Sequence, residues 1–191
     1  MAPKKMKPPF LRLALLSGSL VLLAACSNLL PPPQADAVRH FTLAGPSLAP
    51  AVAGGTRVQP VQVEGHLRRR TMAVRVGENE VVYLEEVVWA ESLADGITQM
   101  LRNRLAAIAS DAVVSVQIQR CELDRSAGNA VQLVATYSIK SGGASPLETP
   151  GVFTASPRTW DGKNYTTLVA LLREAVGELA DRLVLQLPEK K

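Results

Sequence analysis

Two stretches in the middle of the chain alternate strictly. In VVSVQIQR, Val114, Val116 and Ile118 interleave with Ser115, Gln117 and Gln119; in VQLVATYSI, Val131, Leu133, Ala135, Tyr137 and Ile139 share one side. Successive side chains of a strand point to opposite faces, so each stretch has one apolar and one polar face. The pair therefore reads as an antiparallel ladder buried on one side. ELDRSAGNA between them reads as the connecting loop, which would leave Glu122 and Asp124 solvated. A sheet with one apolar face needs a cover, and the rest of the chain must supply it.

Two amphipathic helices fit that need. From Ser92 to Ala109, Leu93, Ile97, Met100, Leu101, Leu105 and Ile108 form one stripe of helical period. Ser92 is placed to cap this helix, with Asp95 in capping-box position. From Tyr165 to Leu185, Leu168, Leu172, Ala175, Val176, Leu179 and Leu183 make a second stripe, ending before Pro188. TMAVRV and EVVYLEE flank Gly77 to Asn79 as a hairpin. VRHFTL (38–43) reads as a first strand, and TRVQPVQVEG (56–65) as an edge or interrupted strand around Pro60. SGGASPLETP reads as loop, GVFTAS as a short strand and WDGKNY as a turn. The expected fold class is α/β in the mixed α+β sense. It is a single domain over 38–188, a mixed, largely antiparallel sheet packed with two main amphipathic helices.

The N-terminal part follows another logic. Lys4, Lys5, Lys7 and Arg12 precede an apolar run from Leu13 to Leu23, then Ala24, Ala25 and Cys26. A basic flank, a short apolar core and small residues make a secretory signal over 1–25, too short to span a bilayer comfortably. LAAC, Leu23 to Cys26, resembles the lipobox of bacterial lipoproteins. The resemblance implies cleavage before Cys26 and acylation of its thiol, palmitate being a typical chain. Two or three chains on one residue hold a protein durably where one holds marginally. Ser27 rather than an acidic residue follows, which implies the outer membrane, facing the periplasm. Residues 26–37, with Pro31 to Pro33, read as the acylated cysteine and a stiff tether.

The four cations of the signal equal the net charge of +4 of the whole chain, so the remainder is formally neutral. That removes most support for a nucleic-acid partner. Cys121 has no mature partner other than the lipidated Cys26 and reads as a small, part-buried strand residue. His40 and His66 lie far apart, without metal-ligand spacing, and no metal or cofactor is expected. No phosphate loop or nucleophile elbow occurs, so no enzymatic constellation is legible. Arg68, Arg69 and Arg70 are the candidate contact with lipid headgroups or an acidic partner. Trp89 and Trp160 are weighed as interface anchors, although Trp89 beside a helix start suits the core. NYT at 164–166 matches a glycosylation sequon, which a lipobox makes irrelevant.

RTMAVRVGENEVVYLEEVVWAESLADGITQMLRNRL, Arg70 to Leu105, resembles the central signature of ABC-type transport auxiliary lipoproteins, the PqiC-like group. The matching residues are Arg75, Gly77, Asn79 and Glu80, then Trp89, Ala90, Glu91 and Leu93. Gly162, Tyr165 and the final helix match the family's closing pattern, and HFTL its early strand. Before the hairpin, Leu67 and Arg69 match, while Glu64, Gly65, His66, Arg68 and Arg70 depart. The resemblance implies a three-layer mixed-sheet domain, somewhat like the N-terminal domain of TolB. It also implies partnership with MCE-domain or permease components of an ABC transport system moving lipids or hydrophobic compounds across the envelope. A structural or assembly lipoprotein without cargo contact is the alternative, and self-association into a homo-oligomer stays open.

Overall fold

The computed structural model describes residues 38–45, 55–142 and 147–188. The signal, Cys26 and the tether lie outside the described residues.

The sheet is built around one long strand. β6 (Val113–Asp124) pairs antiparallel with β7 (Ala130–Lys140), Val114 opposite Ile139 and Leu123 opposite Val131. The apolar residues of both strands share a face, as the alternation predicts. Against the sequence reading, which begins the loop at Glu122, the strand runs on through Glu122, Leu123 and Asp124. A register shift between Ile118 and Arg120 inserts an extra residue, Gln119, and slips the phase of the alternation. The loop shrinks to a turn in which Gly128 (φ 72°) and Asn129 (φ 62°) adopt left-handed backbone.

Three segments share the other edge of β6. β2 (Arg57–Val58) and β3 (Gln62–Val63) lie parallel to its first half and β4 (Thr71–Gly77) parallel to its end. Pro60 falls between β2 and β3, the interruption expected of a residue without an N–H. β4 turns into β5 (Glu80–Trp89), the predicted hairpin, and β1 (Arg39–Phe41) adds parallel to β5. β8 (Glu148–Thr154) and β9 (Arg158–Thr159) both pair with β7. The sequence reading placed Glu148 to Pro150 in a loop; they open β8. Ser141 donates to the Leu147 carbonyl and Ala155 to that of Leu133, so the pairs in between alternate and Ser138/Pro150 is a non-bonded pair. The missing N–H of Pro150 therefore points to the open edge, where it blunts further strand pairing.

Both helices cover the apolar face. α1 (Leu93–Leu105) begins at Ser92, whose hydroxyl accepts the Asp95 N–H at 3.0 Å. It stops four residues before the predicted Ala109. α2 (Tyr165–Val184) begins at Asn164, whose side chain accepts the Thr166 N–H. Ile97, Leu101 and Leu105 of α1 and Leu168, Leu172, Leu179 and Leu183 of α2 are fully buried. Each such side chain contributes roughly 1.5–3 kcal/mol by leaving water. The result is one α+β domain with a mixed sheet, in which the long pairings are antiparallel.

Candidate interaction surface

The phase slip in β6 has a consequence on the face away from the helices. Val74 lies beside Leu123 and Arg75 beside Asp124, which puts Arg75 and Glu122 on the same side of adjacent strands. Arg75 Nε donates to Glu122 Oε1 at 2.6 Å, and another guanidinium nitrogen donates to the Glu78 carbonyl in the hairpin turn at 3.0 Å. The second carboxylate oxygen meets His66 Nε2 at 3.2 Å. A carboxylate only accepts, so Nε2 carries the proton. The side chain of Glu122 is fully buried, and burying a carboxylate is costly unless both oxygens are bonded, as here.

His66 lies in a 3-10 turn, Gly65–Arg68, that leads from β3 to the arginines. Tyr83, opposite Ala73 on β5, donates its hydroxyl to the His66 carbonyl at 3.2 Å. The turn is thus held from β6 through Glu122 and from β5 through Tyr83. Arg69 lies over the Tyr83 ring, its guanidinium carbon 4.5 Å from the centroid. Arg70 donates to the carbonyls of Trp89 at 3.2 Å and Ala90 at 2.6 Å, tying the turn to the Trp-Ala-Glu segment. Arg68 makes one long bond, 3.4 Å, to the Val63 carbonyl. All three arginines are exposed, and among the described residues none of them forms a salt bridge.

Glu122 and Asp124 are therefore not the solvated loop carboxylates that the sequence suggested. Asp124 is also buried, and it accepts from the Ser126 hydroxyl, the Ala127 N–H and the Gln132 amide, fixing the β6–β7 turn. The signal for this was present: Cys121 and Leu123 keep the alternation going once one residue is skipped. Cys121, expected to be a part-buried strand residue, is a buried one, and its thiol is pushed up to about 12 by burial first and then by the charge of Glu122.

The other flagged residues sort simply. Trp89 is buried, and Trp160 is buried with its ring stacked 5.5 Å from Tyr165 and its N–H on the Asn164 carbonyl, so neither is exposed as an interface anchor. His40 is exposed on β1, and among the described residues no group of three His, Cys, Asp or Glu side chains is arranged to hold a metal. Among the described residues no helix is long and apolar enough to cross a membrane. Near the turn, a cleft of about 340 Å³ is lined by Gln59, Gln62, Ser115, Gln117, Thr136 and Ser138 together with Pro60, Val116 and Tyr137. Its amides and hydroxyls are groups that can hydrogen-bond to another polymer.

The domain is thus a sheet covered by helices on one face, with the arginine turn pinned at its edge beside the start of α1 and an open cleft on the sheet. The chain belongs to the family of ABC-type transport auxiliary lipoprotein components, whose sequence pattern spans residues 41–184. No curated protein matches the sequence. Among solved structures, protein XCC0632 from Xanthomonas campestris is similar, with 19% identity and a TM-score of 0.58 over 77% of this chain and 89% of that one. An uncharacterized protein is similar at 13% identity and a TM-score of 0.58, over 75% and 94% of the two chains. At these identities the likeness concerns the fold alone.

Proposed function

We propose that this protein is a non-enzymatic docking subunit, anchored through acylated Cys26 in the outer membrane and facing the periplasm. There it serves an ABC/MCE-type system that moves lipids or hydrophobic compounds across the bacterial envelope. Its partners are MCE-domain or permease components, with the turn bearing Arg68, Arg69 and Arg70 as the contact. Membership of the auxiliary lipoprotein family carries this reading. The lipobox-like LAAC segment and Ser27 support the anchor and its membrane. A tether of about a dozen residues, at no more than roughly 3.3–3.6 Å each, keeps the domain close to the membrane, so the partner must reach it. The amides and hydroxyls that line part of the cleft are suited to docking against another polypeptide.

Co-purification of the full-length lipidated protein in mild detergent tests this. An MCE-domain or permease subunit is expected in the complex, and gene deletion is expected to raise detergent sensitivity. Absence of any transport subunit together with unchanged permeability selects the alternative, a structural or assembly lipoprotein of another envelope complex. Light scattering of the same sample reports whether the protein is a homo-oligomer.

A further inference from the structure

We propose that Arg69 is a pre-organised carboxylate-binding residue, with Arg68 next to it in the chain adding charge, and that its ligand is an acidic segment of a partner protein. This rests on the docking role proposed above and names the chemistry of its contact. The guanidinium of Arg69 lies over the ring of Tyr83, whose own hydroxyl is bonded to the His66 carbonyl. His66 in turn is bonded to the buried Glu122. The ring is thus a fixed shelf, and a guanidinium over it keeps its planar donors available for a bidentate carboxylate. A side chain already held in place loses less conformational freedom on binding than a long solvated one.

The two arginines are also uncompensated. Arg75, Arg104 and Arg158 each find a carboxylate. Arg68 and Arg69, like several other arginines, do not among the described residues, and of these only Arg69 stacks on a ring that is itself hydrogen-bonded in place. Glu64, the nearest acid along the chain, is engaged by the Gln117 amide at 2.9 Å. Arg70 does not add to the pair, since its guanidinium is bonded to the Trp89 and Ala90 carbonyls. That leaves two outward cations, short of the cluster of about four to eight that draws a segment onto an anionic lipid surface.

The surroundings suit a polypeptide. Gln62 lines both the polar cleft and a second cleft of about 340 Å³ walled by Leu67, Arg68, Ser92 and Leu93. The amides and hydroxyls of the first cleft offer partners for the backbone of an extended segment, and the second cleft, lined mostly by apolar residues, carries it past Gln62 to Arg68.

The test uses full-length protein in detergent, a fluorescent deca-glutamate peptide, and dihexanoyl phosphatidylglycerol as the lipid headgroup probe. The wild type is expected to bind the peptide in a salt-sensitive manner. Arg69→Glu should weaken binding at least about tenfold, the loss set by a charge-assisted hydrogen bond. Arg69→Lys should weaken it severalfold, because charge remains while the planar fork is lost. Arg182→Glu, at an exposed arginine in the last turn of α2, should stay within about twofold, since a charge remote from the site is screened. Equal losses for Arg69→Glu and Arg182→Glu, or no peptide binding by the wild type, overturn the proposal. Arg69-dependent binding of the phospholipid without the peptide overturns it in favour of a headgroup site. Transport subunits co-purifying with the wild type report separately on the docking role, which survives a failure here.

Discussion

Arg75 on β4 and Glu122 on β6 form a buried ion pair, 2.6 Å between Nε and Oε1, at the place where the hairpin, the 3-10 turn and the central strand meet. Removing one partner strands a buried charge, which costs about 3–5 kcal/mol, whereas replacing both by apolar groups is often near neutral. Glu122→Gln is therefore expected to destabilise the protein strongly, and Arg75→Met with Glu122→Leu together much less than either alone. Urea unfolding of Glu122→Gln, the two single variants Arg75→Met and Glu122→Leu, and their double measures this; additive losses would mean that the two residues act independently.

Two glycines are expected to respond with opposite sign. A side chain at Gly151 would meet the ring of Tyr137, which lies over β8 and donates its hydroxyl to Gln186 at 2.7 Å. Gly151→Ala should cost about 1–3 kcal/mol, as overpacking does. Gly177 sits inside α2 with nothing within 4 Å of an added Cβ. Gly177→Ala should stabilise by about 0.4–1 kcal/mol, because a helical glycine has more freedom to lose on folding. Thermal melts decide both, and a shared sign would contradict the packing described.

Burial also makes Cys121 inert. Its thiol is raised from 9.0 to about 12, first by burial and then by the charge of Glu122. The folded state thus favours the neutral thiol relative to the unfolded chain. Its contribution to stability is complete below pH 9 and is lost as the pH climbs through the raised value. A thiol reagent at pH 8 should leave native protein unlabelled at this position and label it once urea unfolds the domain. Rapid labelling of native Cys121 would show that the end of β6 opens.

Much of the fold was legible because period and burial coincide. Leu101 is fully buried on the predicted stripe of α1, and both helix starts fall at their capping residues. What escaped were features that a local pattern does not encode. The phase slip at Gln119 hid the end of β6, and with it the pairing of Glu122 with a strand 47 residues away in sequence. Arg70 read as a surface cation because its carbonyl partners, Trp89 and Ala90, lie across a hairpin. Position 102 shows the same limit. Arg102 is exposed, yet its guanidinium donates to the Val58 carbonyl at 3.3 Å. Leu101→Ala should cost roughly 2–5 kcal/mol and Arg102→Ala about 0.5–1.5 kcal/mol for its bond to β2. Equal losses in denaturant titrations would misplace the buried face of α1.

The anchor can be tested apart from the domain. The proposed acylation site is the Cys26 thiol, and a hydroxyl at that position is not the group the lipobox presents for lipid transfer. Cys26→Ser is expected to keep its signal segment and to take up no radiolabelled palmitate, while the wild type is labelled and sediments with the outer membrane. The described domain begins with β1 at Arg39, thirteen residues after Cys26. Domain stability should therefore be unchanged by the substitution, which separates loss of the anchor from loss of the fold. Membrane retention should also persist in high salt, because acyl burial at about 0.8 kcal/mol per methylene does not depend on ionic strength, whereas attraction of Arg68 and Arg69 to a charged surface does. Wild-type protein that takes up no label and washes off with salt would replace the lipid anchor by electrostatic attachment.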